Sequence, residues 1–277
     1  MVFLFYTVAS PIWPQTQYAY FDHFANRNNG PSELKKIIFF ISLLAVLIAG
    51  GAVVFLFLSL PSISHLKSQN PSTTALIEQR LREAQRAGKV LRVRQVWVGF
   101  DGIPALLKES VRVAEDARFY EHEGIDYEEI SEAVKKNLEQ GRWVRGASTI
   151  TQQLAKNLYL STEKSLVRKL KEYFLALHIE KELSKNRIFH LYLNVIELGP
   201  GIFGVEAAAR HYFGKSVGQL SLEEIVRLTA VIPKPLSESP VRPGRWLKWK
   251  ARWILSILYK TGHISADQYH QAGRGLK

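Results

Sequence analysis

Cysteine is absent from the 277 residues, and methionine occurs once. Without a thiol there is no disulfide framework, no Cys-ligated zinc or iron–sulfur centre and no thiol nucleophile, although the absence does not choose between redox compartments. An HExxH zinc pattern, internal repeats and low-complexity tracts are missing as well. Acidic residues are in short supply: 25 Asp plus Glu face 37 Lys plus Arg, a formal charge of +12. That imbalance favours an anionic partner, leaving nucleic acid, anionic lipid headgroups and phosphorylated substrates open. What is abundant is apolar side chain, 47% of the chain against 22% charged, which excludes an intrinsically disordered polymer and predicts one main packed domain with appendages.

Residues 37–60, IIFFISLLAVLIAGGAVVFLFLSL, carry no charge. As a helix they extend roughly 36 Å, against about 30 Å of bilayer hydrocarbon. The run is too long and starts too late for the hydrophobic region of a cleaved signal peptide, so it reads as a retained anchor. Arg27, Lys35 and Lys36 precede it, whereas only Lys67 follows within fifteen residues. This bias places residues 1–36 as a cytoplasmic tail and everything after Leu60 outside the cytoplasm. Residues 61–90, with Lys67, Arg80, Arg82, Arg86 and Lys89 against Glu78 and Glu83, read as a basic juxtamembrane linker running into a helix.

From residue 91 to 277 the pattern is a succession of capped helices. Asp126 and Glu129 form a capping-box pair ahead of Ile130, Ala133, Val134 and Leu138, with Gly141 as a stop. Ile150, Leu154 and Leu158 recur every four residues, and Leu166, Leu170, Phe174 and Leu177 extend a similar stripe. Ser221 and Glu224 open a further helix that Pro233 must end. Only QVWVGF, 95–100, has strand character, so the expected fold is mainly α.

Four segments hold polar groups that a helical bundle does not need. They are Glu115-Asp116-x-x-Phe119-x-x-His122-x-Gly124; Gly146-x-Ser148-Thr149-x-Thr151-Gln152-Gln153 continuing to Lys156 and Asn157; Arg168-Lys169-x-x-Glu172; and Tyr192-Leu193-Asn194 followed by Gly199, Gly201 and Gly204. Singly each has an ordinary explanation: a solvated i, i+4 pair, a Ser/Thr cap, a helix-end histidine.

Together, in this order and spacing, EDxxFxxHxG, GxSTxTQQ, RKxxE and YLN resemble the glycosyltransferase family that polymerises peptidoglycan from lipid II. The likeness covers about residues 90 to 260, and one anchor followed by this domain resembles the monofunctional biosynthetic transglycosylases, without a penicillin-binding transpeptidase. The resemblance implies a mainly helical, lysozyme-like domain with a small membrane-facing lobe near Trp143, held at the bacterial inner membrane. It implies a lipid II donor, a growing glycan strand as acceptor, and cell-wall synthesis or division proteins as candidate partners. Three positions depart from the pattern: His190 where Glu is frequent, Lys164 where Arg is common, and Lys234 in place of an Asn between Pro233 and Pro235.

By the same resemblance the reaction displaces a lipid pyrophosphate from an α-linked sugar in one inverting step. A sugar hydroxyl is too weak an acid to ionise at neutral pH, so a carboxylate must take its proton, and Glu115 matches that base. The leaving pyrophosphate needs positive charge and no proton, which Lys156, Lys164, Arg168 and Lys169 are placed to supply. Glu172 is expected to hold a divalent cation, Mg²⁺ or Mn²⁺, or to orient those cations; no organic cofactor is called for. Asp116, Phe119, His122, Gly146, Ser148, Thr149, Thr151, Gln152, Gln153, Asn157 and Asn194 are the expected substrate contacts.

Two rivals remain from the sequence. A lysozyme-like hydrolase shares the fold but must protonate an alkoxide and has no use for clustered cations. An anchored binding protein draws on residues 236–277, where eight Lys/Arg meet two Asp/Glu and Trp246, Trp249 and Trp253 fall at i, i+3 and i+7. Placement outside the cytoplasm argues against nucleic acid there, and the stripe reads as the packed face of a terminal helix.

Overall fold

The computed structural model describes residues 31–141, 147–163 and 165–276; Trp143, Gly146 and Lys164 lie outside them. Contacts divide the chain into two units, with the boundary between Ser59 and Leu60. The first contains α1, Pro31–Leu58, a helix whose segment Glu33–Phe55 has mean hydropathy 2.9 and is not buried by protein. Its length and composition suffice to cross a membrane. It begins earlier than the apolar run because Pro31 suits a first helical turn, and Lys36 pairs with Glu33 at 2.8 Å.

The second unit is mainly helical. In order it contains α2 (Ala75–Arg86), β1 (Arg94–Gln95), α3 (Ala105–Glu115), α4 (Tyr127–Glu139), α5 (Ile150–Tyr159), α6 (Leu166–Glu182), α7 (Lys185–Val195), β2 (Glu197–Gly199), β3 (Ile202–Phe203), α8 (Val205–Phe213), α9 (Leu222–Val231), α10 (Arg245–Lys260) and α11 (Ala266–Arg274). Ile188, Phe189, Leu191, Tyr192, Leu193 and Val195 are all buried, so α7 is enclosed on nearly every side and α5 and α6 pack around it. A second cluster joins Val226, Ala230 and Val231 of α9 to Leu247, Ala251, Ile254 and Leu258 of α10, and Val113 ties α3 into it.

Residues 61–90 belong to this unit. Ile63 and Leu66 sit in the main core, Leu76 and Ile77 pack on Phe203, and Arg80 of α2 pairs with the buried Glu197 of β2 at 2.8 Å. The stretch does contain the expected helix, but its apolar residues fasten it to the domain.

The strand expected at 95–100 shrinks to Arg94–Gln95, parallel to β3, because Asn194 takes over the pairing beyond it. Its side-chain amide accepts from Val98 N at 2.9 Å and donates to Val98 O at 3.1 Å, as a neighbouring strand would. Gly204, at φ +81°, permits that approach: a Cβ there would meet Asn194 O at 2.6 Å.

The helix α6 also turns a face that its apolar periodicity did not indicate. Leu166 is 90% exposed and Leu170 38%, whereas Glu172, Leu175, Ala176 and Ile179 point inward. A carboxylate takes the core side there because cations on the same helix satisfy it.

Candidate active site

The site is assembled where α3 ends. Glu115 is its last residue and Asp116 its C-cap. The two neighbouring carboxylates turn in different directions. Asp116 is buried and accepts from His122 Nε2 at 2.9 Å and from Ile150 N, the first turn of α5, at 2.9 Å. Gly124 N donates to His122 Nδ1 at 3.1 Å, so Nε2 carries the ring proton that Asp116 accepts. Phe119 is fully buried, its ring 6.4 Å edge-on from His122 and 5.3 Å from Phe189. Asp116, Phe119 and His122 thus hold the loop that carries Glu115.

The next segment serves largely the same end. Thr149 caps α5: it accepts from Gln152 N at 3.1 Å, receives the Gln152 side chain at its own N–H, and donates to Gly124 O at 2.6 Å. Thr151 donates to Glu180 of α6 at 2.5 Å, and Asn157 is buried on α5. Gln153 reaches Glu115. Its Nε2 donates to Glu115 Oε2 at 3.0 Å while Tyr192 Oη donates to its carbonyl at 3.0 Å. Burial pushes the Glu115 carboxyl above the usual range, opposed by the Gln153 hydrogen bond and by the charges of Lys250 and Lys156.

On the α5–α6 side, Glu172 is buried and accepts from Arg168 at 2.5 Å and from Lys169, which also donates to Ser148 Oγ at 3.1 Å. Arg168 keeps its Nε–H buried with no partner among the described residues. Lys156 lies within electrostatic reach of both Glu115 and Glu172. Burial drives its ammonium below the ordinary lysine value, assisted by Arg168 and Lys169 and opposed by the two carboxylates.

Neither group of carboxylates fits a divalent ion as its residues stand. Both oxygens of Glu172 already accept from cations, and a metal there would face two positive charges. Asp116, His122 and Asp126 bring ligand atoms within 4.8 Å of one another, but Asp126 caps α4 at Glu129 N and pairs with Arg118, while the other two share a proton.

Glu115 and Asp116 line a cleft of about 690 Å³, with Arg118 and Ser148 on one part of its wall and Trp249 and Trp253 of α10 on another. The sequence reading of the tryptophans as packing holds for Trp246, which packs on the α9–α10 cluster, whereas Trp249 is 55% exposed and Trp253 37%. The signal for the difference was present. Leu247, Ala251, Ile254 and Leu258, spaced by four, three and four, already give α10 a complete buried stripe, which leaves Trp249 and Trp253 unassigned.

Asn194 does not join the cleft: its amide is consumed by Val98 and by His190 O. The unusual residues find local roles. His190 accepts from Arg187 at Nδ1 and donates from Nε2 to Val98 O at 2.8 Å, and Lys234 lies 4.0 Å over the ring of Trp246.

Residues 83–258 match the family described as Transglycosylase. Among similar proteins, a biosynthetic peptidoglycan transglycosylase of Nitrosospira multiformis is 46% identical over 186 residues, covering 67% of this chain and 81% of the relative. Another, of Nitrosomonas eutropha, is 45% identical over 196 residues, 71% and 80% of the two chains. One of Thiobacillus denitrificans is 49% identical over 166 residues, 60% and 72%. A crystal structure of penicillin-binding protein 1A from Haemophilus influenzae overlaps 66% of this chain and 18% of its own at 21% identity, with a TM-score of 0.38.

Proposed function

The chain belongs to the transglycosylase family, and from that premise we propose how its cleft polymerises peptidoglycan glycan strands. It is a glycosyltransferase. The observation that carries the mechanism is the placement of one carboxylate of raised proton affinity, Glu115, within reach of a lysine that also faces the Arg168–Lys169–Glu172 cluster. Glu115 takes the proton of the attacking sugar 4-hydroxyl as the new β-1,4 bond forms at the anomeric carbon. Its raised affinity suits this role, because a very weak base would remove the proton too late. Gln153, held from behind by Tyr192, fixes the carboxylate's direction.

Negative charge grows on the departing lipid pyrophosphate, where Lys156, Arg168 and Lys169 supply cations and Glu172 keeps two of them in place. Hydrolysis by a two-carboxylate route is the weaker reading, since both oxygens of Glu172 accept from cations and the group is set as an acceptor, not as an acid. Direct cation–phosphate contact also replaces the expected divalent ion, so chelation should leave turnover within about twofold.

The helix α1 anchors the chain to a membrane, with its N-terminal side in the cytoplasm by the distribution of Lys and Arg and the catalytic unit outside. Val134 and Leu138 of α4 and Leu166 and Val167 of α6 are exposed and provide an apolar surface suited to a bilayer that also holds the lipid-linked substrate. The test is incubation of the purified chain in detergent with lipid II, followed by separation of glycan strands on a gel. Long strands support the reading; unconverted lipid II, or reducing-end sugars released from finished peptidoglycan, would reject it.

A further inference from the structure

The cleft continues past the residues that the proposed reaction uses. One wall is α10, which packs on α3 and α9 through Leu247, Ala251, Ile254 and Leu258 and is therefore a rigid support. From its other side Trp249, Lys250 and Trp253 line the cavity that contains Glu115. Trp249 is more than half exposed, although an indole left in water forgoes the burial that makes it a good core residue. The ammonium of Lys250 lies 4.2 Å over the ring of Trp253 and occupies one of its faces.

Among the described residues, Lys156, Arg168 and Lys169 are not part of this cavity's wall. Ser148, bonded to Lys169, marks where the two regions meet. The wall carries Glu129 and Glu132, together with Asp126, which Arg118 already pairs, and Lys250, which lies over Trp253. Carboxylates repel a phosphate and would lose hydration beside an acyl chain, but they accept hydrogen bonds from hydroxyl and acetamido groups. A pyranose ring presents both complementary surfaces: axial C–H groups that lie flat on an indole, and hydroxyls around its edge. The volume falls within the range of small-ligand clefts, roughly 300–1,000 Å³.

We propose that Trp249 and Trp253 form a saccharide subsite, an aromatic platform on α10 that seats an uncharged sugar ring of the glycan strand beside Glu115. The assignment rests on the glycosyltransferase reading for the identity of the sugar. The platform positions the chain laterally, while the cations hold the pyrophosphate end, so that the reacting hydroxyl and anomeric carbon are located from both sides.

The test uses the full chain in detergent and a β-1,4-linked N-acetylglucosamine tetrasaccharide, with binding followed by saturation-transfer NMR. Trp249→Ala and Trp253→Ala should each weaken the tetrasaccharide by roughly tenfold, Trp249→Tyr by under about threefold because a flat face remains, and both alanine variants should make shorter strands from lipid II. Circular dichroism melts close to the parent exclude misfolding. Unchanged affinity in both alanine variants overturns the proposal, as does the lack of saturable binding to the parent chain up to about 10 mM. So does a loss of binding to phosphatidylglycerol vesicles with tetrasaccharide binding intact, which would make the platform a membrane contact. Strand synthesis with tryptophan-independent saccharide binding sinks the subsite and spares the reaction. Tryptophan-dependent binding without any polymer from lipid II does the reverse.

Discussion

Glu115 and Asp116 are adjacent carboxylates at one helix end, and their surroundings differ in nearly every respect. Asp116 looks into a layer beneath the cleft where His122, Ile150 N, Thr149, Gln152, Thr151 and Glu180 satisfy one another. Glu115 looks into the cleft, where burial disfavours its charge and Gln153 supplies one hydrogen bond. The lower layer makes a rigid shape from matched donors and acceptors. The cleft and the cation cluster beside it hold groups kept above their most comfortable state, Glu115 with raised proton affinity and Lys156 with a lowered one. Reactivity needs that second condition and stability needs the first.

The largest expected effect separates the two carboxylates by activity. Glu115→Gln should reduce strand synthesis by about 10²–10⁴-fold, measured as initial rate on lipid II, because the amide keeps the shape and loses the base. Retention of near-normal turnover would remove Glu115 from that role. In melting experiments the order should reverse. Asp116→Asn sets an amide donor against the donors His122 Nε2–H or Ile150 N–H and should cost about 2–4 kcal/mol, or roughly 5–15 °C in Tm. Glu115→Gln should leave Tm unchanged or raise it slightly. If both variants lost stability equally, the distinction between the layer and the cleft would collapse.

An intermediate effect is expected from the cations. Lys156→Ala should lose at least about tenfold in turnover, since a charge-assisted bond to phosphate in a partly desolvated cleft contributes about 1.5–3 kcal/mol. Lys156→Arg should be milder, and the exposed Lys260→Ala should do nothing measurable. Equal behaviour of Lys156→Ala and Lys260→Ala in a lipid II rate assay would make Lys156 an ordinary helix residue.

The smallest effects concern pH. A carboxyl raised in the folded state binds its proton more tightly there, so stability from this group is present at low pH and lost as pH rises through its folded pKa. The rate runs the other way on the acid side, falling as pH drops through a value above the ordinary glutamate pKa of about 4.3. On the alkaline side it should fall before the ordinary lysine value of about 10.4, because Lys156 gives up its proton early. Rate–pH profiles of the parent and of Lys156→Arg test this: only the parent should lose its alkaline limb early.

Much of this architecture was legible in the chain. Capping pairs marked the starts of α4 and α9, the Ile150, Leu154 and Leu158 stripe is the buried face of α5, and the apolar run formed α1. The spacing of Arg168, Lys169 and Glu172 also placed them on one helix face, where the structure pairs them. The assignment of every motif residue to substrate was not sustained. Thr149, Gln152, Thr151 and Asn194 spend their polar groups on caps, on α6 and on Val98, and motif spacing alone cannot separate a ligand contact from a hydrogen bond within the fold.

What the sequence by itself determined are the local choices, made by contacts within a turn or two of helix: where helices start, which stripe is aliphatic, which residues can take a proton or hold an anion. Only the tertiary structure decided which of two faces is buried and which distant side chains share a cavity. On α6 the apolar stripe lost the core to Glu172, because cations one turn away satisfied its charge. On α10 an aliphatic stripe filled the core and left Trp249 and Trp253 to the cleft. The α10 outcome depends on α3, more than a hundred residues away in the chain, and the α6 outcome on the packing of α5 against it, a complementarity that no local periodicity encodes.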